Sequence, residues 1–253
     1  MAQVELVASK LIGRESYPRL ATTECVHAGK NAIDIRALSF RRGRQWVLRE
    51  VDLSVAGGEI VAILGANGAG KTTLLQCAAG ILHCTTGEVR WHGEPANGAA
   101  ARRRAIGFVG HESGLYLALT GRENLAFAAR MHGLDHVSER VTEALDRFAL
   151  SPHADHRVAC LSRGMRQRLA IARGVIQRPS LLFLDEPFSG LDSESCAWLT
   201  TYFQEMRRAG GTLLFSSHEF DRVQAVADRL LVVEAGRLRC WTDPHATCAG
   251  ALE

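Results

Sequence analysis

The stretch GANGAGKTT, residues 65–73, restricts the fold of this chain more than any other segment. Gly65, Gly70, Lys71 and Thr72 have the spacing G-x-x-x-x-G-K-[ST], between the apolar run EIVAIL and the helical pattern KTTLLQCAAGIL. In such a strand–loop–helix unit the glycines let backbone N–H groups surround phosphate oxygens, and the helix N-terminus adds partial positive charge. We therefore expect an α/β fold with a phosphate-binding loop.

This loop provides the first set of candidate site residues. The side chain of Lys71 would reach the β- and γ-phosphates of a nucleotide, and the hydroxyl of Thr72 would bind Mg²⁺. A flexible loop of small residues is the alternative, but the strand and helix on either side of the full motif argue against it. The predicted cofactor-binding residues here are Gly65, Ala66, Asn67, Gly68, Ala69, Gly70, Lys71, Thr72 and Thr73.

A second candidate group follows the apolar run LLFL at residues 181–184. Asp185 ends this run, which places its carboxylate at the carboxyl end of a buried strand, where open α/β sheets bind ligands. We expect Asp185 to hold Mg²⁺ through water, so the predicted metal ligands are Thr72 and Asp185. Glu186 would polarise the water that attacks the γ-phosphate, which makes it and Lys71 candidate catalytic residues.

The remaining apolar patterns predict the architecture. IDIRALSF and VLREVDLSV alternate as half-buried antiparallel strands do. Five short apolar runs, at 59–64, 105–110, 181–185, 212–217 and 229–234, suit a parallel sheet buried on both faces. Between residues 120 and 178 only helical patterns occur, the first with the capping-box spacing of Thr120 and Glu123. We predict a P-loop NTPase core of mostly parallel sheet, with an antiparallel β subdomain and a helical insertion.

The domain organisation follows from these patterns. Residues 1–30 show no sustained period and are expected to be a poorly ordered N-terminal extension. The ATPase domain would span residues 31–245, with a helical subdomain at about 113–178 and a tail at 246–253.

Composition excludes several classes of function. Thirty basic and 27 acidic residues give the 253-residue chain a net charge of +3, too small to indicate a nucleic-acid surface. The seven cysteines have no C-x-x-C spacing, which is typical of reduced thiols in a cytosolic protein. No apolar run approaches the roughly 18 residues that a membrane helix requires, so a membrane function would need a second, spanning chain.

Together, the motifs GANGAGKTT, LSRGM, LLFLDEP and SGLD, followed by His218, resemble the nucleotide-binding domain of ABC transporters over residues 33–240. This resemblance implies that Ser162 and Gly164 bind the γ-phosphate of ATP held by a second subunit, with Ser162 as a helix cap. It also implies that His218 is a catalytic residue in contact with the γ-phosphate and that Asp192 couples two ATP sites. The implied assembly is a homodimer on an integral membrane transporter subunit, at the cytoplasmic face of the bacterial membrane.

The signature segment departs from the family pattern at two positions. The usual second glycine is Arg163, and the usual glutamine is Met165. An arginine at this position could add positive charge near phosphate or point to solvent. Because Ser162 and Gly164 are retained, we expect ATP-dependent function to persist.

Two further family positions are open. His111 and Glu112 follow the run IGFVG, where the family has a metal-contacting glutamine, and spacing does not choose between them. The aromatic residue that usually stacks on adenine falls near Arg42, with Phe40 on the same strand face and Trp46 nearby.

A narrower resemblance concerns the transported substrate. The segments GEVRWHGEP, GHESGLYLALTGRENLAF, LSRGMRQRLAIARG and DEPFSGLD together are similar to the haem-exporter ATPase of bacterial cytochrome c maturation, the CcmA type. The alternatives are the ATPase of a lipid, polysaccharide or drug exporter, and a regulatory module that binds ATP without transport. Glu186 and His218 argue against the last, because a module that only binds ATP needs neither.

Overall fold

The computed structural model describes residues 31–96 and 105–241. The expected N-terminal extension and the C-terminal tail lie outside these residues. The described chain has two sheets, one four-stranded and one six-stranded, with helices packed against the larger one. The predicted α/β class, with a mostly parallel sheet and a separate antiparallel one, is confirmed.

The smaller sheet is antiparallel and comes from the N-terminal part of the described chain. Its strands are β1 (Asn31–Arg42), β2 (Gln45–Ala56), β4 (Thr86–Trp91) and β5 (Glu94–Pro95), in the order β2-β1-β4-β5. The alternating patterns predicted β1 and β2, but β4 and β5 were not predicted because GEVRWHGEP is short and rich in charged residues.

The larger sheet carries the expected parallel strands. They are β3 (Ile60–Leu64), β6 (Ile106–Val109), β7 (Leu181–Leu184), β8 (Thr212–Ser216) and β9 (Arg229–Glu234), followed by β10 (Arg237–Cys240). The order is β10-β9-β3-β8-β7-β6, and β10, which the sequence patterns did not predict, pairs antiparallel with β9. Strand β8 therefore lies between β3, which leads into the phosphate loop, and β7, which ends before Asp185.

The burial predicted from the apolar runs is correct for the central strands of this sheet and wrong for strands nearer its edges. Every residue of β3, β7 and β8 is buried, as predicted for strands covered on both faces. The same prediction is wrong for β6, where only Gly107 and Val109 are buried, and for β9, where only Leu231 and Val233 are buried. Leu230 and Val232 point to the opposite face, which is covered only in part, and remain half-buried.

Six α-helices connect and cover these strands in the described chain. They are α1 (Lys71–Ala78), α2 (Gly121–Met131), α3 (Val137–Arg147), α4 (Arg163–Val175), α5 (Ser193–Arg208) and α6 (Phe220–Gln224). Helices α2 to α4 occupy the stretch that the sequence predicted as helical. The capping box is confirmed, because Thr120 Oγ1 accepts the Glu123 N–H at 3.1 Å and the Thr120 N–H donates to Glu123 Oε2 at 2.8 Å.

Two hydrophobic cores lie on opposite faces of the larger sheet. Leu182 and Leu184 of β7 pack among helices α2 to α5, whereas Leu181 and Phe183 of the same strand face α1 and the antiparallel sheet. This double burial explains why the central strands are continuous apolar runs. Within residues 31–96 and 105–241, no helix has both the length and the apolar character to cross a membrane.

Candidate functional site

The phosphate loop joins β3 to α1 and depends on glycine at both ends. Gly65 has a φ of +152°, and a Cβ there would lie 2.6 Å from the Val233 carbonyl oxygen. Gly70 has a φ of +110° and caps α1 in a left-handed conformation that L side chains rarely adopt. Lys71, only 6% exposed, folds back so that its Nζ donates to the Gly65 carbonyl at 2.8 Å. The loop is therefore wound around the lysine side chain.

Asp185 lies beside this loop and is held by two hydroxyl groups. Thr72 Oγ1 donates to Asp185 Oδ2 at 2.8 Å, and Ser216 Oγ donates to Asp185 Oδ1 at 2.6 Å. Asp185 is 4% exposed, so the two donors compensate a buried charge. The hydroxyl and carboxylate oxygens predicted to bind metal are thus adjacent, although the described residues contain no cluster of three or more His, Cys, Asp or Glu that could hold a metal unaided.

Glu186 is the centre of the charged network. Its Oε1 lies 3.3 Å from Lys71 Nζ, and its Oε2 lies 2.7 Å from His218 Nδ1. Its backbone has a φ of 52°, and its N–H donates to Ser216 Oγ at 2.9 Å. Left-handed backbone is uncommon for a residue other than glycine, and persists where the surroundings hold it in place. The structure thus brings the three predicted catalytic residues, Lys71, Glu186 and His218, together.

These groups line a cavity of about 970 Å³. Its lining includes residues 66–73, Asp185, Glu186 and His218, together with Arg42 and Trp46. Gly65 is not among the lining residues, and a Cβ there would meet the Val233 carbonyl oxygen.

The structure distinguishes the residues that the sequence left open at this cavity. His111 lines the cavity and Glu112 does not. Trp46, 38% exposed, has the Arg41 guanidinium carbon 5.6 Å from its ring centroid. Phe40 instead packs half-buried against the core shared by the two sheets. Trp46 is therefore the aromatic side chain available to a ligand in this cavity.

The other predicted binding residues lie away from the cavity of their own chain. Ser162 Oγ accepts the Met165 N–H at 3.2 Å, so the predicted cap of α4 is confirmed. Gly164 is buried, and a Cβ there would overlap Ser195 Oγ, so glycine permits close packing of α4 on α5. Asp192 caps α5 by accepting the Ser195 N–H at 2.7 Å, and this bond lowers the pKa of its carboxyl.

Arg163 is exposed and also makes a contact within its own chain that the sequence did not predict. Its Nη2 donates to the Ser189 carbonyl oxygen at 2.7 Å, so the guanidinium lies on the loop after Glu186. Met165, at the other departure from the family pattern, packs partly buried against the helical core. The guanidinium of Arg163 thus contacts a loop of its own chain.

Sequence reasoning missed Ser216. It is fully buried and joins Asp185 to the backbone of Glu186, through one bond donated and one accepted. The polar pair Ser216–Ser217 at the end of the apolar run TLLF was the available signal. Without the strand order, that signal could not indicate which residue Ser216 faces.

Known proteins with similar sequences belong to the family that these motifs indicate. Residues 48–189 match the family model described as ABC transporter. The chain is 37% identical over 195 residues to the ABC transporter ATP-binding protein NatA of Bacillus subtilis (strain 168), which covers 76% of this chain and 79% of that protein. It is 34% identical over 230 residues to the sulfate/thiosulfate import ATP-binding protein CysA of Escherichia coli (strain K12), which covers 84% of this chain but only 62% of that protein.

Two solved structures have the same fold. A structure titled as the ATP binding subunit of an ABC transporter matches with a TM-score of 0.74 and 30% identity, over 82% of this chain and 88% of that one. The cbiO1 protein of Clostridium perfringens, part of the ABC transporter complex cbiONQ, matches with a TM-score of 0.74 and 29% identity, over 83% and 87%. These four names do not mention haem. From the assembled phosphate loop and carboxylates together with these matches, the chain belongs to the ABC transporter family and carries its ATP-binding domain.

Proposed function

We propose that this chain hydrolyses Mg²⁺-ATP and drives transport through a separate membrane subunit. The observation that carries this proposal is the meeting of Lys71, Asp185, Glu186 and His218 at one cavity next to a phosphate loop. Phosphoryl transfer requires mainly positioning and charge stabilisation, and these side chains offer both.

The oxygen atoms at the cavity fit Mg²⁺. This ion prefers one or two carboxylates together with substrate phosphates, and Thr72 and Asp185 present a hydroxyl and a carboxylate 2.8 Å apart. Bound there, the ion would neutralise charge on the phosphates. Ser216 would keep the second oxygen of Asp185 in place.

Glu186 would act as the group that polarises the attacking water. Without nucleotide its carboxylate lies between Lys71 and His218. The phosphates of ATP would compete for the same lysine, which frees the carboxylate for water. His218 would then keep Glu186 oriented through Nδ1 and present its other ring nitrogen towards the γ-phosphate.

The base would lie on the side of the cavity formed by the β1–β2 hairpin. Among the Phe, Tyr and Trp residues of the described chain, Trp46 alone lines this cavity, and the Arg41 guanidinium lies over its ring. His111 would take the place of the metal-contacting glutamine of the family. By spacing, the usual adenine-stacking aromatic position of the family falls near Arg42.

The N-terminus of α4 would serve a second copy of the chain. Ser162 caps this helix away from the cavity of its own chain, and the helix dipole favours an anion at this end. A head-to-tail homodimer with two-fold symmetry would let each Ser162 and Gly164 face the ATP of the partner. Closure with ATP and opening after hydrolysis would then drive a conformational cycle.

The membrane subunit would dock beside the helical segment. Phe127 and Met131 of α2 are 42% and 72% exposed, and with Ile81 they line a cleft of about 540 Å³. Exposed apolar side chains around one cleft are typical of a protein interface. This docking would hold the chain at the cytoplasmic face of the membrane.

The identity of the transported substrate is the most specific part of the proposal. Haem export is supported by the four sequence segments that resemble the CcmA type, whereas one relative is named for sulfate/thiosulfate import and another only as an ABC transporter ATP-binding protein. Lipid, polysaccharide or drug export remains the further alternative. An ATP-binding regulatory module is disfavoured by the Glu186–His218 pair.

Two measurements test the proposal. The purified chain should release phosphate from ATP in the presence of Mg²⁺, and removal of the ion with EDTA should stop release. Affinity purification from its own cells should recover a membrane protein, whose identity assigns the substrate. Tight ATP binding with no hydrolysis, alone or with the recovered partner, would favour the regulatory module instead.

A further inference from the structure

The loop of residues 187–192 connects Glu186 to α5 and is held by two side chains of α4. Arg163 Nη2 donates to the Ser189 carbonyl at 2.7 Å, and Gln167 Nε2 donates to the Pro187 carbonyl at 3.2 Å. Arg163 and Gln167 are four residues apart, so they lie on the same face of α4. One helix face therefore holds two carbonyl groups of this loop.

Gly190 provides the space for the guanidinium. It has a φ of +64°, and a Cβ at this residue would lie 2.6 Å from both Nη1 and Nη2 of Arg163. The arginine thus packs directly on the backbone of Gly190 as well as bonding to its neighbour. Any side chain at residue 190 would displace it.

The loop in turn contacts the backbone of Glu186. The Ser189 N–H donates to the Glu186 carbonyl at 3.1 Å, and Ser189 also lines the nucleotide cavity. Glu186 has the uncommon φ of 52°, which requires support from neighbouring groups. A continuous path of hydrogen bonds therefore runs from α4 through Ser189 to the backbone of Glu186.

We propose that Arg163 is a positioning residue, which holds the 187–192 loop and thereby the conformation of Glu186. The family pattern has glycine at this position, and glycine has no side chain to reach the Ser189 carbonyl. Arginine suits the role because its planar guanidinium stays charged and donates in a fixed geometry. The link to Glu186 rests on the proposed hydrolytic function, whereas the link to the loop does not.

The first experiment measures the loop without nucleotide. Hydrogen exchange of the full chain should show amides 188–191 exchanging about fivefold faster or more in Arg163→Ala, since a hydrogen bond from a charged donor is lost. Arg163→Lys keeps one donor and should fall in between. Arg208→Ala, which removes an exposed arginine at the end of α5, is the control and should leave these amides unchanged. Equal exchange in all variants would overturn the proposal, whether or not the chain hydrolyses ATP.

The second experiment measures steady-state hydrolysis. Arg163→Ala should lower kcat about fivefold or more and leave KM for ATP unchanged, because orientation of Glu186 is lost while the phosphate loop stays intact. Gly190→Ala displaces the guanidinium, so adding Arg163→Ala to it should change kcat by less than about twofold. A higher KM with unchanged loop exchange would instead indicate that Arg163 binds phosphate across a dimer, and it would refute the positioning role.

Discussion

Replacing Ser216 by alanine tests how the site is held together. Ser216 is fully buried, donates to the Asp185 carboxylate at 2.6 Å and accepts the Glu186 N–H at 2.9 Å. Ser216→Ala removes a bond to a charged group and leaves one N–H without its partner, which together cost about 2–4 kcal/mol. For a domain of this size that loss lowers Tm by roughly 4–16 °C. Because Asp185 also loses an orienting donor, the Mg²⁺ concentration needed for half-maximal hydrolysis should rise and kcat should fall.

Thr212→Val provides the matched control, at the other end of the same strand. Thr212 is also buried, and its hydroxyl accepts the Gly58 N–H at 3.0 Å and donates to the Ala56 carbonyl at 3.5 Å. Thermal unfolding should show a loss of about 1–2 kcal/mol for this variant, with hydrolysis and Mg²⁺ dependence unchanged. If Ser216→Ala matched Thr212→Val in every assay, Ser216 would be a structural hydroxyl only, and our reasoning about Asp185 would be wrong.

Three further substitutions address the proposed catalytic cycle. Glu186→Gln keeps the shape of the side chain but removes its negative charge. The protein should therefore bind ATP, lose turnover and accumulate as an ATP-bound dimer in size-exclusion chromatography. Turnover at the wild-type rate would remove Glu186 from the mechanism. Lys71→Ala deletes the side-chain cation of the phosphate loop, and calorimetry should show a sharp loss of ATP affinity; unchanged affinity would contradict the loop assignment. Ser162→Arg removes a cap worth about 0.5–2 kcal/mol, so the fold and monomeric ATP binding should persist while hydrolysis is lost. Mixing Ser162→Arg with Lys71→Ala should restore partial activity, because one of the two composite sites is then intact; inactive heterodimers with one nucleotide bound would mean that both sites must act together.

The strands that position the site were predictable from local pattern. The runs that became β3, β7 and β8 are buried on both faces, so their apolar content is continuous and easy to recognise. Strand β4 was not predicted, because only Val89 and Trp91 of it are buried. Strand β10 has arginine at two of its four positions and pairs at the sheet edge, which leaves a weak apolar signal.

The residues of the site also fall into two groups, those that the sequence predicted and those that it did not. Residues 65–73 and Asp185 were predictable because the chemistry of phosphate and metal binding restricts both residue type and spacing. The partners of Ser216 and Arg163 were not predictable, since each contacts a residue distant in sequence. Ser216 contacts Asp185 from the neighbouring strand, and Arg163 contacts Ser189 of the following loop from α4. Such contacts depend on the order of the strands and the packing of the helices, which local patterns do not contain.

The position of β8 in the larger sheet has a consequence for how the site forms during synthesis. Residues 65–73 and 185–186 precede residues 212–216 in the chain, yet β3 and β7 each pair with β8 and not with each other. A nascent chain that stops before residue 212 therefore holds both nucleotide-binding motifs but lacks the strand that places them one strand apart. Because pairing across such sequence distances is slow to form, ATP should begin to protect the chain from protease only late in folding, after β8 has joined the sheet.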